Sequence, residues 1–109
     1  MIGKLRDLNL DLKTREKELA VARDRLRRVQ FDLAETEADL IANTPWKEHG
    51  ITNQHGRESF IILHTVDETH TVYTVQKEVE LMEVEVNSLK RLFNILLADL
   101  RRQGVETNV

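Results

Sequence analysis

Residues 5–40 read LRDLNLDLKTREKELAVARDRLRRVQFDLAETEADL, with leucine at every seventh position: Leu5, Leu12, Leu19, Leu26, Leu33 and Leu40. With these at the a positions of a heptad, the d positions are Leu8, Arg15, Ala22, Val29 and Thr36. Leucine sustained at that period over five heptads predicts one long helix with a coiled-coil seam. Arg15 and Thr36 interrupt the d series, and polar residues there fix register at some cost in stability. Proline disfavours helical backbone at the residue before it, so Thr44-Pro45 ends the segment. The helix is expected over about residues 3–42.

A second heptad runs towards the other end of the chain. Val72, Val79, Val86, Phe93 and Leu100 occupy a, while Val75, Met82, Leu89 and Leu96 occupy d. Thr71-Val72-Tyr73-Thr74-Val75 alone could be a strand, but the unbroken period through Leu100 favours a helix over about 68–103. Thr65 and Glu68 fit the S/T-x-x-E capping box, with Asp67 as a second candidate cap. Arg101, Arg102 and Gly104 suit a helix C-terminus. The connector, about 43–66, is expected to hold a helical turn opened by Pro45, a turn from Gly50 to Gly56, and a short helix. The apolar face of that helix would be Phe60, Ile61, Leu63 and His64.

The fold class expected is therefore all-α, a single helical domain. Two long helices of similar length fold back as an antiparallel hairpin, with Leu5 beside Leu100. That register sets Arg23, Arg25, Arg27 and Arg28 alongside Glu78, Glu80, Glu83 and Glu85, opposite charge facing opposite charge. It also brings Asp32, Glu35, Glu37 and Asp39 towards Asp67 and Glu68, like charge near like.

One end of the hairpin is apolar beyond its seam. Leu5, Leu8 and Leu12 lie there with Leu89, Leu92, Phe93, Ile95, Leu96, Leu97 and Leu100, which cover more than half of the second helix. A helix apolar on most sides is buried on most sides, so these ten residues are expected to hold copies together in a homo-oligomeric bundle or ring. A monomeric three-helix bundle is the alternative.

Composition narrows the chemistry. The 109 residues are 40% hydrophobic, 5% aromatic and 32% charged, with net charge −3, one proline, four glycines and no cysteine. Absence of cysteine excludes disulfide scaffolds and thiolate metal cages. No apolar run approaches the roughly 20 residues of a membrane span, nor is there a charged-then-apolar leader, so a cytoplasmic protein without membrane contact is expected. His49, His55, His64 and His70 are spaced by neither i,i+4 nor H-E-x-x-H, so no metal is expected. No nucleophile elbow or phosphate-cradling glycine loop occurs, and neither an enzyme nor a cofactor is expected.

The charge is unevenly spread. Residues 1–28 carry nine Lys or Arg against five acids, while residues 29–44 carry four acids and no base. Arg6, Lys13 and Arg27 share the b position, with Lys17 and Arg28 beside it. Such a stripe could track a phosphate backbone through counterion release. The opposing reading is that the arginines from Arg23 to Arg28 are matched by the acids of the second helix.

From about Asn53 to Arg102 the outline resembles small phage-encoded helical proteins of recombination and replication clusters. The matching features are an Asn/Gly-rich turn, Arg57-Glu58 opening a short helix, and Asp67 at a break. A final helix then ends in a basic, aromatic and leucine-rich stretch (Lys90, Arg91, Phe93, Leu96, Arg101). The layout is also similar to UvsY-like recombination mediators. That resemblance implies ring assembly, single-stranded DNA binding and help to a recombinase in displacing single-strand-binding protein. A scaffold, adaptor or inhibitor that binds a protein without nucleic acid is the other expectation.

Overall fold

The computed structural model describes residues 2–104, and among them the only regular structure is α-helix, with no strand. Three helices follow one another: α1 (Ile2–Asn43), α2 (Gln54–His64) and α3 (Val66–Arg102). The chain divides into two compact units, one of residues 1–23 and 77–109 and the other of residues 24–76, and α1 and α3 contribute to both.

In the first unit the early turns of α1 pack antiparallel against the late turns of α3. Arg15 reaches Glu85 at 3.3 Å and, two turns further along α1, Arg23 reaches Glu83 at 3.4 Å. The seam is the heptad pattern made physical: Leu5, Leu8, Leu12, Leu19 and Ala22 are buried, as are Val79, Val86 and Leu100. Leu5 and Leu100, at 0% and 1% exposure, enclose the end of the hairpin. The polar d residue Arg15 stays half exposed and is held by Asp11, Glu18 and Glu85. Its charge thus remains in contact with water as well as with those acids.

In the second unit, α1 ends at Asn43, where Pro45 blocks the next turn. A hydrogen-bonded turn follows, with Glu48 and His49 donating to Pro45 O. Gly50 closes it at φ 70°, a backbone conformation that costs a side-chain-bearing residue energy. The turn expected to reach Gly56 stops earlier. Asn53 caps α2 by accepting from Gly56 N at 2.7 Å, so Gly56 already belongs to the first helical turn. The apolar face also differs from expectation: Phe60 and Ile61 are half-buried but Leu63 and His64 are exposed. The inward line follows the i,i+4 pair Ile61 and Thr65.

A single residue, Thr65, separates α2 from α3. It is 2% exposed, and its backbone leaves the helical region at φ −125° and ψ 21°. The expected capping box does not form. The Thr65 hydroxyl donates to Ile61 O at 2.8 Å, turning back onto α2, and only its carbonyl serves α3, accepting from Thr69 N. Buried away from water, the hydroxyl takes the carbonyl one turn behind it. Asp67 and Glu68 still occupy the first turn of α3, where the helix dipole favours acids. At the far end Arg101 and Arg102 precede Gly104, which adopts φ 75°.

Candidate functional site

The outward face of α1 in the first unit carries the strongest polar feature of that unit. Arg6, Lys13 and Lys17 are exposed, and among the described residues they take part in no ion pair. At 100° per residue they fall within an arc of about 40°, and from Arg6 to Lys17 they span about 16 Å of helix. Leu10 and Val21, also exposed, lie beside them.

Arg27 and Arg28, expected on the same stripe, lie in the other unit and are exposed but engaged. Both are drawn to Asp24 of their own helix, at 3.9 and 3.2 Å. An acid at i−3 or i−4 on the same helix is thus the partner that holds these two arginines. Arg23 does meet the acidic run, through Glu83. Beyond the arginines, Asp32, Glu35 and Asp39 line a shallow acidic depression along α1 with Thr36 and Asn43.

The ten residues expected between copies separate into three groups. Leu5, Leu8, Leu12 and Leu100 are covered by the chain's own helices, because they are the seam itself. Leu89, Phe93, Leu96 and Leu97 are half-buried. Leu92 and Ile95 are exposed, and with them Leu81 and Val84, which the heptad reading passed over. The outer face of α3 in this unit thus carries four exposed apolar side chains.

An aromatic cluster organises the second unit. Around Phe60, by ring centroids, stand Trp46 in a T-shaped arrangement at 5.4 Å, His49 tilted at 5.2 Å and His64 stacked at 3.9 Å. The Arg57 guanidinium sits 5.8 Å from the centre of the Trp46 ring. His64 Nδ1 is 2.9 Å from Phe60 O, an acceptor only, so that nitrogen carries the proton. His49 and His64 therefore act as ring partners of Phe60, tying the turn after α1 to α2. Among the described residues no three His, Asp or Glu side chains gather as a metal site would require. Nor is any helix long and apolar enough to cross a membrane.

No protein-family model matches the chain, and neither a curated protein nor a solved structure is found to be similar to it.

Proposed function

We propose that this chain is a non-enzymatic, self-associating helical accessory protein of the recombination-mediator kind, working in the cytoplasm of a phage host. In this reading single-stranded DNA lies along the α1 strip of Arg6, Lys13 and Lys17, and a recombinase is the protein partner. The observation that supports it is the unpaired state of those three cations on one face of a helix. Cations already neutralised by a neighbouring acid release fewer counterions on binding a phosphate backbone, so Arg27 and Arg28 contribute little.

The test is fluorescence anisotropy of a labelled single-stranded oligonucleotide at about 50 and 200 mM salt. Three phosphate contacts give a log–log salt slope of about −2, a loss of roughly 20-fold over that range. Replacing Lys13 and Lys17 with Gln should flatten the slope to about −0.7, whereas Arg27→Gln with Arg28→Gln should leave it nearly unchanged. Absence of binding at the lower salt would overturn the DNA reading.

A second reading, a scaffold or adaptor that binds protein alone, is favoured by the exposed apolar side chains of α3. Under it, the lysine substitutions change no partner binding and Leu92→Glu abolishes it.

A further inference from the structure

In the first unit α3 is apolar on two faces. One is the seam against α1; the other comprises Leu81, Val84, Leu92 and Ile95, all exposed, with the small residue Ser88 midway between them. At 100° per residue these five positions fall within an arc of about 80°, centred about 130° from the seam. Their spacing is three, four, four and three residues, which reads the same in both directions. Val84 and Leu92 lie four residues either side of Ser88, and Leu81 and Ile95 lie seven either side. Continuing outward, Lys77 and Asp99 lie eleven either side, and they are opposite in charge.

We infer that this face pairs with the same face of a second copy, α3 against α3 antiparallel, about a two-fold axis at Ser88. In an isologous contact every pair i–j recurs as j–i, so an apolar stripe symmetric about one residue is complementary to itself. Leu81 then meets Ile95 of the second copy, Val84 meets its Leu92, and the two serines at the axis allow close approach. Each end closes on Lys77 opposite Asp99. A parallel pairing would put lysine on lysine and aspartate on aspartate at those ends, so charge selects the antiparallel one. Lys77 also bridges Glu80 at 3.2 Å, and Asp99 holds Arg102 of its own helix, so the end pairs set direction more than strength.

The stripe covers about 21 Å of helix. A single helix pair of that length lies at the low end of specific interfaces, so the dimer is concentration-dependent. This inference supplies the interface for the self-association proposed above and does not depend on the DNA reading.

The absence of cysteine makes the test clean. A disulfide needs Cα atoms within about 4.4–6.8 Å, a separation that Ser88 reaches with its own copy only at the axis. Mild oxidation of Ser88→Cys should therefore give a covalent dimer, while Val21→Cys, also exposed but on α1, should stay monomeric. In sedimentation velocity from micromolar to near-millimolar protein, the mass of the unsubstituted chain should rise to that of two copies. Leu92→Glu, with helicity confirmed by circular dichroism, should remain monomeric throughout. A chain that stays monomeric at every concentration overturns both the inference and the proposed self-association. Assembly that persists in Leu92→Glu, or that leaves Ser88→Cys unlinked, overturns this interface while self-association survives. The oligonucleotide titration decides the DNA reading separately.

Discussion

Leu19 and Leu10 belong to the same helix and the same unit, yet one lies on the heptad stripe and the other off it. Their exposures are 4% and 62%. The identical change, leucine to alanine, should therefore have very different consequences. At Leu19 it removes a buried side chain packed near Val86, beside a cleft of about 200 Å³ bounded by Arg23, Glu83 and Lys90. Buried Leu→Ala changes cost about 2–5 kcal/mol, less where the surroundings can collapse. Flexible charged side chains line this cleft, so the lower half applies, about 2–3 kcal/mol. At Leu10 the change should stay within about 0.5 kcal/mol, the usual range for a surface site. Helix propensity shifts equally in both variants and cancels from the comparison.

Urea unfolding followed by far-ultraviolet circular dichroism measures the difference. With a denaturant slope of about 1–3 kcal/mol per molar, Leu19→Ala should lower the midpoint by about 1–2 M and Leu10→Ala by a few tenths at most. Since small domains hold only about 5–15 kcal/mol in total, the first loss is a substantial fraction of it. Equal costs at the two positions would refute the assignment of the leucine seam as what holds α1 to α3.

Two more substitutions probe the polar elements. Arg15→Leu replaces the polar d layer between Leu12 and Leu19 and faces a cleft of about 260 Å³ that Met82 and Leu81 help to line. The ion pairs it removes are about half exposed and weak, so stability should rise by up to about 1 kcal/mol, and by more in high salt, where the unsubstituted chain loses them. A loss above about 1 kcal/mol in the same urea assay would show that the pairs outweigh the burial. Asn53→Ala removes the acceptor for Gly56 N and should cost about 1 kcal/mol, with Asn53→Ser retaining most of it. Unfolding followed by Trp46 emission reports it, and an unchanged midpoint would mean that water caps α2 equally well.

Much of the architecture was legible because it rests on repetition. Six leucines in register outweigh any local preference, and Pro45 leaves the first helix no way to continue. Leu5 and Leu100, placed at the same end on pattern alone, are both fully buried. What escaped depends on single side chains choosing between nearby partners. Gly56 looks like part of a turn until the Asn53 side chain takes its amide. Thr65 carries the spacing of a cap, but burial sends its hydroxyl to Ile61 O. Arg27 and Arg28 take Asp24 one turn away, a local partner that matching one helix against the other does not point to. The candidate site was half visible. Arg6, Lys13 and Lys17 stand out by charge, whereas Leu81 and Val84 vanish into a heptad reading that assigns each helix one apolar face. Their own symmetry about Ser88 was the signal.

The ring packing of Trp46 on Phe60 has a practical consequence. Trp46 is the only tryptophan in the chain, and it lies wholly within the unit of residues 24–76. An indole beneath a guanidinium and T-shaped against a phenyl ring changes its emission when those neighbours leave. Its fluorescence is thus a built-in gauge of that unit alone, while the helical signal in the far ultraviolet sums over both. Superimposable unfolding curves from the two probes would mark a single cooperative transition; separated ones would date the melting of each unit without any added label.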